Sequence, residues 1–176
     1  VRSGTFDWPL VGRTEALRRA AATGPGRALI TVGEAGVGKS RLIQEALAEE
    51  EQLWLQGRSG LAAVPWLPVT AALRAAGAEQ LHALVALPEL SVYRAELSSL
   101  LPELARPSRS ASHSEPHRVL EAAAALLRRL QPGLAAVVFD DAQWLDPETI
   151  RLLHFLHGQG DLRLFITVRS GSRGVR

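Results

Sequence analysis

Gly33-Glu34-Ala35-Gly36-Val37-Gly38-Lys39-Ser40 decides how this chain is read, because it fits G-x-x-x-x-G-K-[ST] throughout. It also stands where that pattern has to stand. Ala28 to Val32 before it is a short apolar run that reads as a buried strand, and Lys39 to Glu50 after it carries Leu42, Ile43, Ala46 and Leu47 at helical spacing. Glycines at a strand-to-helix turn let backbone N–H groups face inward around phosphate oxygens, and the positive end of the following helix points at the same place. A lysine at this position reaches the outer phosphates of a nucleotide, and the next hydroxyl completes a magnesium shell. Those roles fall to Lys39 and Ser40. Lys39 is the one lysine in a chain that otherwise uses arginine for positive charge. The competing reading is a plain glycine-rich turn.

Outward from this loop the pattern alternates. Leu53 to Gln56 reads as a short strand closed by Gly57, and Leu67 to Leu104 as three short helices broken at Gly77 and Pro88. Arg106 to Pro116 is a low-complexity loop, and Arg118 to Leu130 an Ala/Leu-rich helix. Ala135 to Phe139 is a third strand, Pro147 to Leu156 a helix capped by Asp146, and Leu162 to Val168 a fourth strand. Continuously apolar strands alternating with helices predict an α/β fold: a three-layer sandwich around a mostly parallel sheet.

Two strand ends carry further chemistry. Val137-Val138-Phe139-Asp140-Asp141 ends an apolar strand in adjacent carboxylates, which repel and lose hydration unless a cation is near. Behind a phosphate loop that cation is Mg²⁺, held by Asp140, with Asp141 placed to orient or deprotonate an attacking water. The alternative is that both acids cap the turn to Gln143 and Trp144. Arg169 follows Leu164 to Val168 and points at the crevice where open α/β sheets bind ligands, as a γ-phosphate sensor or as an ordinary surface arginine.

Composition bounds the rest. The chain has 176 residues, 47 % hydrophobic and 22 % charged, which is one ordinary globular domain and excludes wholesale disorder. No apolar run approaches a membrane span, and Val1 to Leu10 lacks the core of a secretory signal. Cysteine is absent, which excludes disulfides and thiolate metal sites and fits a reducing, cytoplasmic setting. A net charge of +2 is too small to argue for direct nucleic-acid binding. Methionine is absent even at position 1, and Gly171 to Arg176 reads as a cut end, so a piece of a longer chain is expected.

Leu10 to Leu17 (LVGRTEAL), the loop at Gly33 to Ser40, and Asp140 to Thr149 (DDAQWLDPET) occur in that order. Together they resemble the AAA+-related P-loop ATPase module of STAND signalling ATPases, as in large bacterial LuxR-type and maltose-regulator-like transcription activators. The resemblance covers nearly the whole chain, 1–176. It implies an ASCE-type P-loop NTPase sandwich in which the fourth strand lies between those carrying the loop and Asp140. It also implies that Val11, Gly12 and Arg13 sit beside the adenine and ribose. Gly33, Glu34, Ala35, Gly36, Val37, Gly38, Lys39, Ser40 and Arg41 would line the phosphates, and Arg169 would be the sensor arginine. Such modules continue into a fifth strand, a helical lid and a winged helix, so the loop strand is expected at an exposed edge. Pro65-Trp66-Leu67-Pro68 matches the segment after the second strand and is expected to pack.

The implied activity is an ATP-binding, slowly ATP-hydrolysing switch with ATP/ADP and Mg²⁺ as ligands. Its partners would be the lid, sensor and effector domains of a parent chain, with self-association on ATP binding left open. A nucleotide-binding module without turnover and a small-molecule phosphotransferase are the competing classes.

Overall fold

The computed structural model describes residues 11–104 and 115–171. The N-terminal decapeptide, most of the low-complexity stretch and the last five residues lie outside these. Four strands, β1 (Ala28–Gly33), β2 (Gln52–Gln56), β3 (Ala136–Asp140) and β4 (Arg163–Arg169), form one parallel sheet in the order β1-β4-β3-β2. The strand inserted between β1 and β3 is therefore the last one, as the family resemblance implied. This order sets the carboxyl ends of β1, β4 and β3 side by side.

The strand sequences alternate between two helical layers. Ala136, Val138 and Phe165 face one side, where they pack with Ala20 of α1 (Thr14–Ala21) and Ile43 of α2 (Lys39–Ala46). Val137, Phe139, Leu164 and Ile166 face the other. There they meet α3 (Leu67–Ala75), α4 (Ala78–Val85), α5 (Pro88–Ser91), α6 (Arg94–Leu100), α7 (Pro116–Leu130) and α8 (Pro147–Gln159). The architecture is the three-layer α/β sandwich that the alternation of apolar runs predicts.

Several expectations need correction. The loop strand, which its apolar run reads as buried, stands instead at the exposed sheet edge that the resemblance implies: Ile30 and Val32 are 60 % and 63 % exposed, because among the described residues β1 is paired to β4 alone and carries little cover on their face. Helix α2 ends at Ala46 rather than Glu50. The three helices expected from Leu67 to Leu104 are four, with a further break at Val92 and Tyr93 and a closing 3₁₀ turn at Pro102–Leu104. Helix α7 begins two residues early because Pro116 takes the first-turn position. Helix α1 was not foreseen.

Asp146 caps α8 as expected, and it does more. Its Oδ1 accepts from the backbone N–H groups of Glu148 (3.1 Å) and Thr149 (3.0 Å) and, across 80 residues, from that of Trp66 (2.8 Å). Its Oδ2 accepts from the Thr149 hydroxyl at 2.6 Å. Trp66 has a left-handed backbone (φ 62°) just before α3, so this carboxylate pins an unfavourable turn. Asp146→Ala is expected to destabilise the fold by about 3 kcal/mol, a lost cap plus the orphaned, part-buried N–H of Trp66. Chemical denaturation measures it.

The two helices that flank the low-complexity stretch are joined by a charge pair. Arg118 Nε of α7 donates to buried Glu96 Oε1 of α6 at 2.8 Å. Burial pushes the Glu96 carboxyl up, but the Arg118 hydrogen bond, a backbone hydrogen bond and the Arg118 charge together bring it below its ordinary 4.5. A carboxyl lower in the folded than the unfolded state stabilises above its unfolded value and loses that contribution as pH falls through the folded one. Glu96→Gln is therefore expected to lower the melting temperature at pH 7, with the gap to the unsubstituted chain narrowing as pH falls below the ordinary carboxylate range, as thermal melts at several pH values would measure.

Candidate functional site

The carboxyl ends of the strands, together with the Gly33–Ser40 loop and the start of α2, enclose a cavity of about 290 Å³. Its lining includes Ala35, Gly36, Gly38, Lys39, Ser40, Arg41, Gln56, Asp140, Asp141 and Arg169. Gly36 (φ 76°) and Gly38 (φ 89°) adopt left-handed backbones that side chains resist, which is how the loop curls back over the helix. Gly38 is the N-cap of α2 and no side chain caps this helix, so its first N–H groups remain available to an anion. Lys39 is buried, and its Nζ donates to the carbonyls of Gly33 (3.0 Å) and Glu34 (2.8 Å). The ammonium is thereby held against the inner wall of the loop.

Ser40 and Asp140 meet. The Ser40 hydroxyl donates to Asp140 Oδ1 at 2.7 Å, and the Thr167 hydroxyl donates to the same oxygen at 2.6 Å. Thr167 Oγ1 in turn accepts from the Asp141 backbone N–H at 2.8 Å. Fully buried, Thr167 couples both acids to β4. The donor set is one hydroxyl and one carboxylate, hard oxygens of the kind Mg²⁺ takes when phosphates and water complete its shell. Among the described residues no cluster of three or more His, Cys, Asp or Glu could hold a metal on its own.

Asp141 and Arg169 also meet. Arg169 Nε donates to Asp141 Oδ1 (3.0 Å) and Nη2 to Oδ2 (2.9 Å), a bidentate pair. Gln143 Nε2 donates to Oδ1 as well (3.0 Å), and Gln143 Oε1 accepts from the Arg169 backbone N–H (3.0 Å). The Arg169 hydrogen bonds hold the Asp141 carboxyl below its ordinary range, against the opposing effect of burial. Asp141 itself has a left-handed backbone (φ 51°, ψ 51°). Gly57, at the end of β2, approaches that turn so closely that a Cβ there would stand 2.5 Å from the Asp141 carbonyl oxygen.

The entry segment is placed less centrally. Arg13 Nη2 donates to the Val37 carbonyl at 3.0 Å and so tethers the chain before α1 to the loop. Val11 is 84 % exposed, and it, Gly12, Arg13, Gly33, Glu34 and Val37 are not part of the cavity lining. Trp144 is half-buried in the turn after the acids, away from that lining. Four neighbours of the site escaped the sequence reading: Gln56, Gly57, Gln143 and Thr167. Only Thr167 carried a signal, as a lone hydroxyl in an otherwise apolar strand.

A parallel sheet with its terminal strand between the loop strand and the acidic strand, and a lysine-bearing phosphate loop beside a Ser–Asp pair, define a P-loop NTPase fold. Residues 10–168 match the family described as AAA ATPase domain. The chain belongs to that family, and with it to nucleotide-binding ATPase modules. No curated protein matches the chain. Among the described residues no helix is long and apolar enough to cross a membrane.

Proposed function

We propose that this chain is the Mg²⁺-dependent, slowly ATP-hydrolysing switch domain of a bacterial signalling or transcription regulator of the STAND type. The observation that carries the reading is the convergence of Ser40, Asp140, Lys39 and Arg169 on one cavity at the mouth of a parallel sheet. Ser40 and Asp140 would hold the metal, which supplies charge neutralisation between the β- and γ-phosphates. Backbone N–H groups of Gly36 to Ser40 surround the phosphates, and Lys39 turns from the loop carbonyls to them. Arg169 turns from Asp141 to the γ-phosphate, and the Asp141 carboxylate then orients the attacking water. Arg13 holds the entry segment against the loop on the adenine side. ATP would favour one arrangement of the flanking domains of a longer chain and ADP another.

A second reading has an observation of its own. Both oxygens of Asp141 are bonded to Arg169, which suits a nucleotide-binding module in which the acid is structural and turnover negligible. Titration with a fluorescent ATP analogue, with and without Mg²⁺, followed by measurement of phosphate release, separates the two. Saturable Mg²⁺-enhanced binding with release supports the switch ATPase. Binding without release supports the module, and no binding by a folded chain overturns both.

A further inference from the structure

One buried hydroxyl holds both acids from inside the sheet. In β4 Thr167 lies two residues beyond Phe165, on the face turned toward α1 and α2, and in β3 Asp140 lies two residues beyond Val138 on that same face. Phe139 pairs with Ile166 in the register of β3 on β4, so the next position on each strand sets Asp140 beside Thr167. Thr167 is 0 % exposed, in a strand whose other residues from Leu164 to Val168 are apolar. A hydroxyl buried there costs free energy unless its hydrogen bonds are made. They are made, and in a fixed sense. The Asp141 backbone N–H can only donate, so Thr167 Oγ1 accepts it (2.8 Å), and the one hydroxyl proton goes to Asp140 Oδ1 (2.6 Å). The Ser40 hydroxyl donates to the same Oδ1 at 2.7 Å, and Oδ2 receives neither hydroxyl.

We propose that Thr167 is the positioning residue for Mg²⁺: it fixes Asp140 through Oδ1 from within the sheet and leaves Oδ2 for the metal or its water. This rests on the nucleotide reading above, in which Ser40 and Asp140 hold the metal, and it adds a residue that lies outside the cavity lining. A carboxylate held by one hydroxyl can turn about its Cβ–Cγ bond and exchange its oxygens. Held on one oxygen by hydroxyls from two elements, α2 and β4, it cannot turn without losing both bonds. Thr167 is itself locked. Rotating its hydroxyl away would orphan the Asp141 N–H, at a residue whose backbone is left-handed (φ 51°). Hydrogen bonds that orient a metal-binding carboxylate are worth about 10–100-fold in metal affinity. A threonine that served only the packing of β4 would leave the metal requirement untouched when replaced by a side chain of its own shape.

The test is titration of the 176-residue chain with a fluorescent, non-hydrolysable ATP analogue, at graded Mg²⁺ and in EDTA, beside Thr167→Val and Thr167→Ser. Valine keeps the shape and removes the hydroxyl, whereas serine keeps the hydroxyl and loses a methyl group. Thr167→Cys, a weak donor, takes the place of valine should valine not fold. The Mg²⁺ concentration for half-maximal enhancement of binding is expected to rise by about 10–100-fold with valine, and less with cysteine. Affinity in EDTA is expected to stay unchanged, and serine to behave as the unsubstituted chain does. An unchanged Mg²⁺ requirement in the folded valine or cysteine variant overturns the positioning role while leaving the nucleotide site intact. Weakening by the same factor with and without Mg²⁺ would mean that Thr167 shapes the phosphate loop, and also overturns it. So does a serine variant as impaired as valine, which assigns the effect to packing. Failure of the unsubstituted, folded chain to bind the analogue, or binding indifferent to Mg²⁺, overturns the functional reading and the positioning role together.

Discussion

Lys39→Ala is expected to weaken binding of both ATP and ADP by about 100-fold, because it removes charge-assisted hydrogen bonds to phosphate from a buried ammonium. The loss would fall on both nucleotides, since in the proposed site the lysine would reach the phosphates they share as well as the terminal one. No other lysine exists in the chain, and the other cations that line the cavity are the guanidiniums of Arg41 and Arg169. Titration with a fluorescent analogue, with circular dichroism to show that the variant is folded, measures the effect. Equal binding by the variant would move the phosphate site elsewhere. Retained Mg²⁺-independent binding would separate the lysine's contribution from that of Ser40 and Asp140.

Asp141→Asn is expected to lower turnover by about 10²–10³-fold while leaving triphosphate binding no weaker. Asparagine keeps the size of the side chain but lacks the charge that holds Arg169 and that would orient water in the proposed mechanism. Because Asp140 and not Asp141 bonds Ser40, the metal-facing pair should survive the change. Single-turnover phosphate release at saturating ATP is the measurement. An unchanged rate would remove Asp141 from the chemistry, and weakened binding with an unchanged rate would make it a phosphate-side structural residue.

The two predictions differ in how far ahead the sequence reached. Lys39 and Ser40 were legible because their spacing is local: eight residues at one strand-to-helix turn carry the whole geometry. Asp140, Asp141 and Arg169 were legible as strand ends, since a polar residue that closes an apolar run lies at the rim of a sheet. Their partners were not. The contact of Ser40 with Asp140 spans 100 residues, and that of Arg169 with Asp141 spans 28. Gln143 and Gly57 showed nothing in sequence beyond residues of a turn, because their significance lies in what they approach. The loop strand reads as buried, yet its exposure depends on what stands beside it, which five apolar residues cannot encode.

By itself the sequence determined the α/β alternation, the phosphate loop at its strand-to-helix boundary, the acidic strand end and the cap of α8. All of these follow from periodicities and spacings within a dozen residues, where backbone geometry alone relates one side chain to the next. The entry of β4 between β1 and β3 was reached from the sequence through the family resemblance and from no local pattern, whereas only the tertiary structure decided that Thr167 shares one oxygen of Asp140 with Ser40 and that Arg169 lies on Asp141 rather than in the crevice alone. Strand order is set by how the two helical layers cover the sheet. A hydrogen bond between strand ends exists only after that order has been chosen, so no local pattern could have carried it.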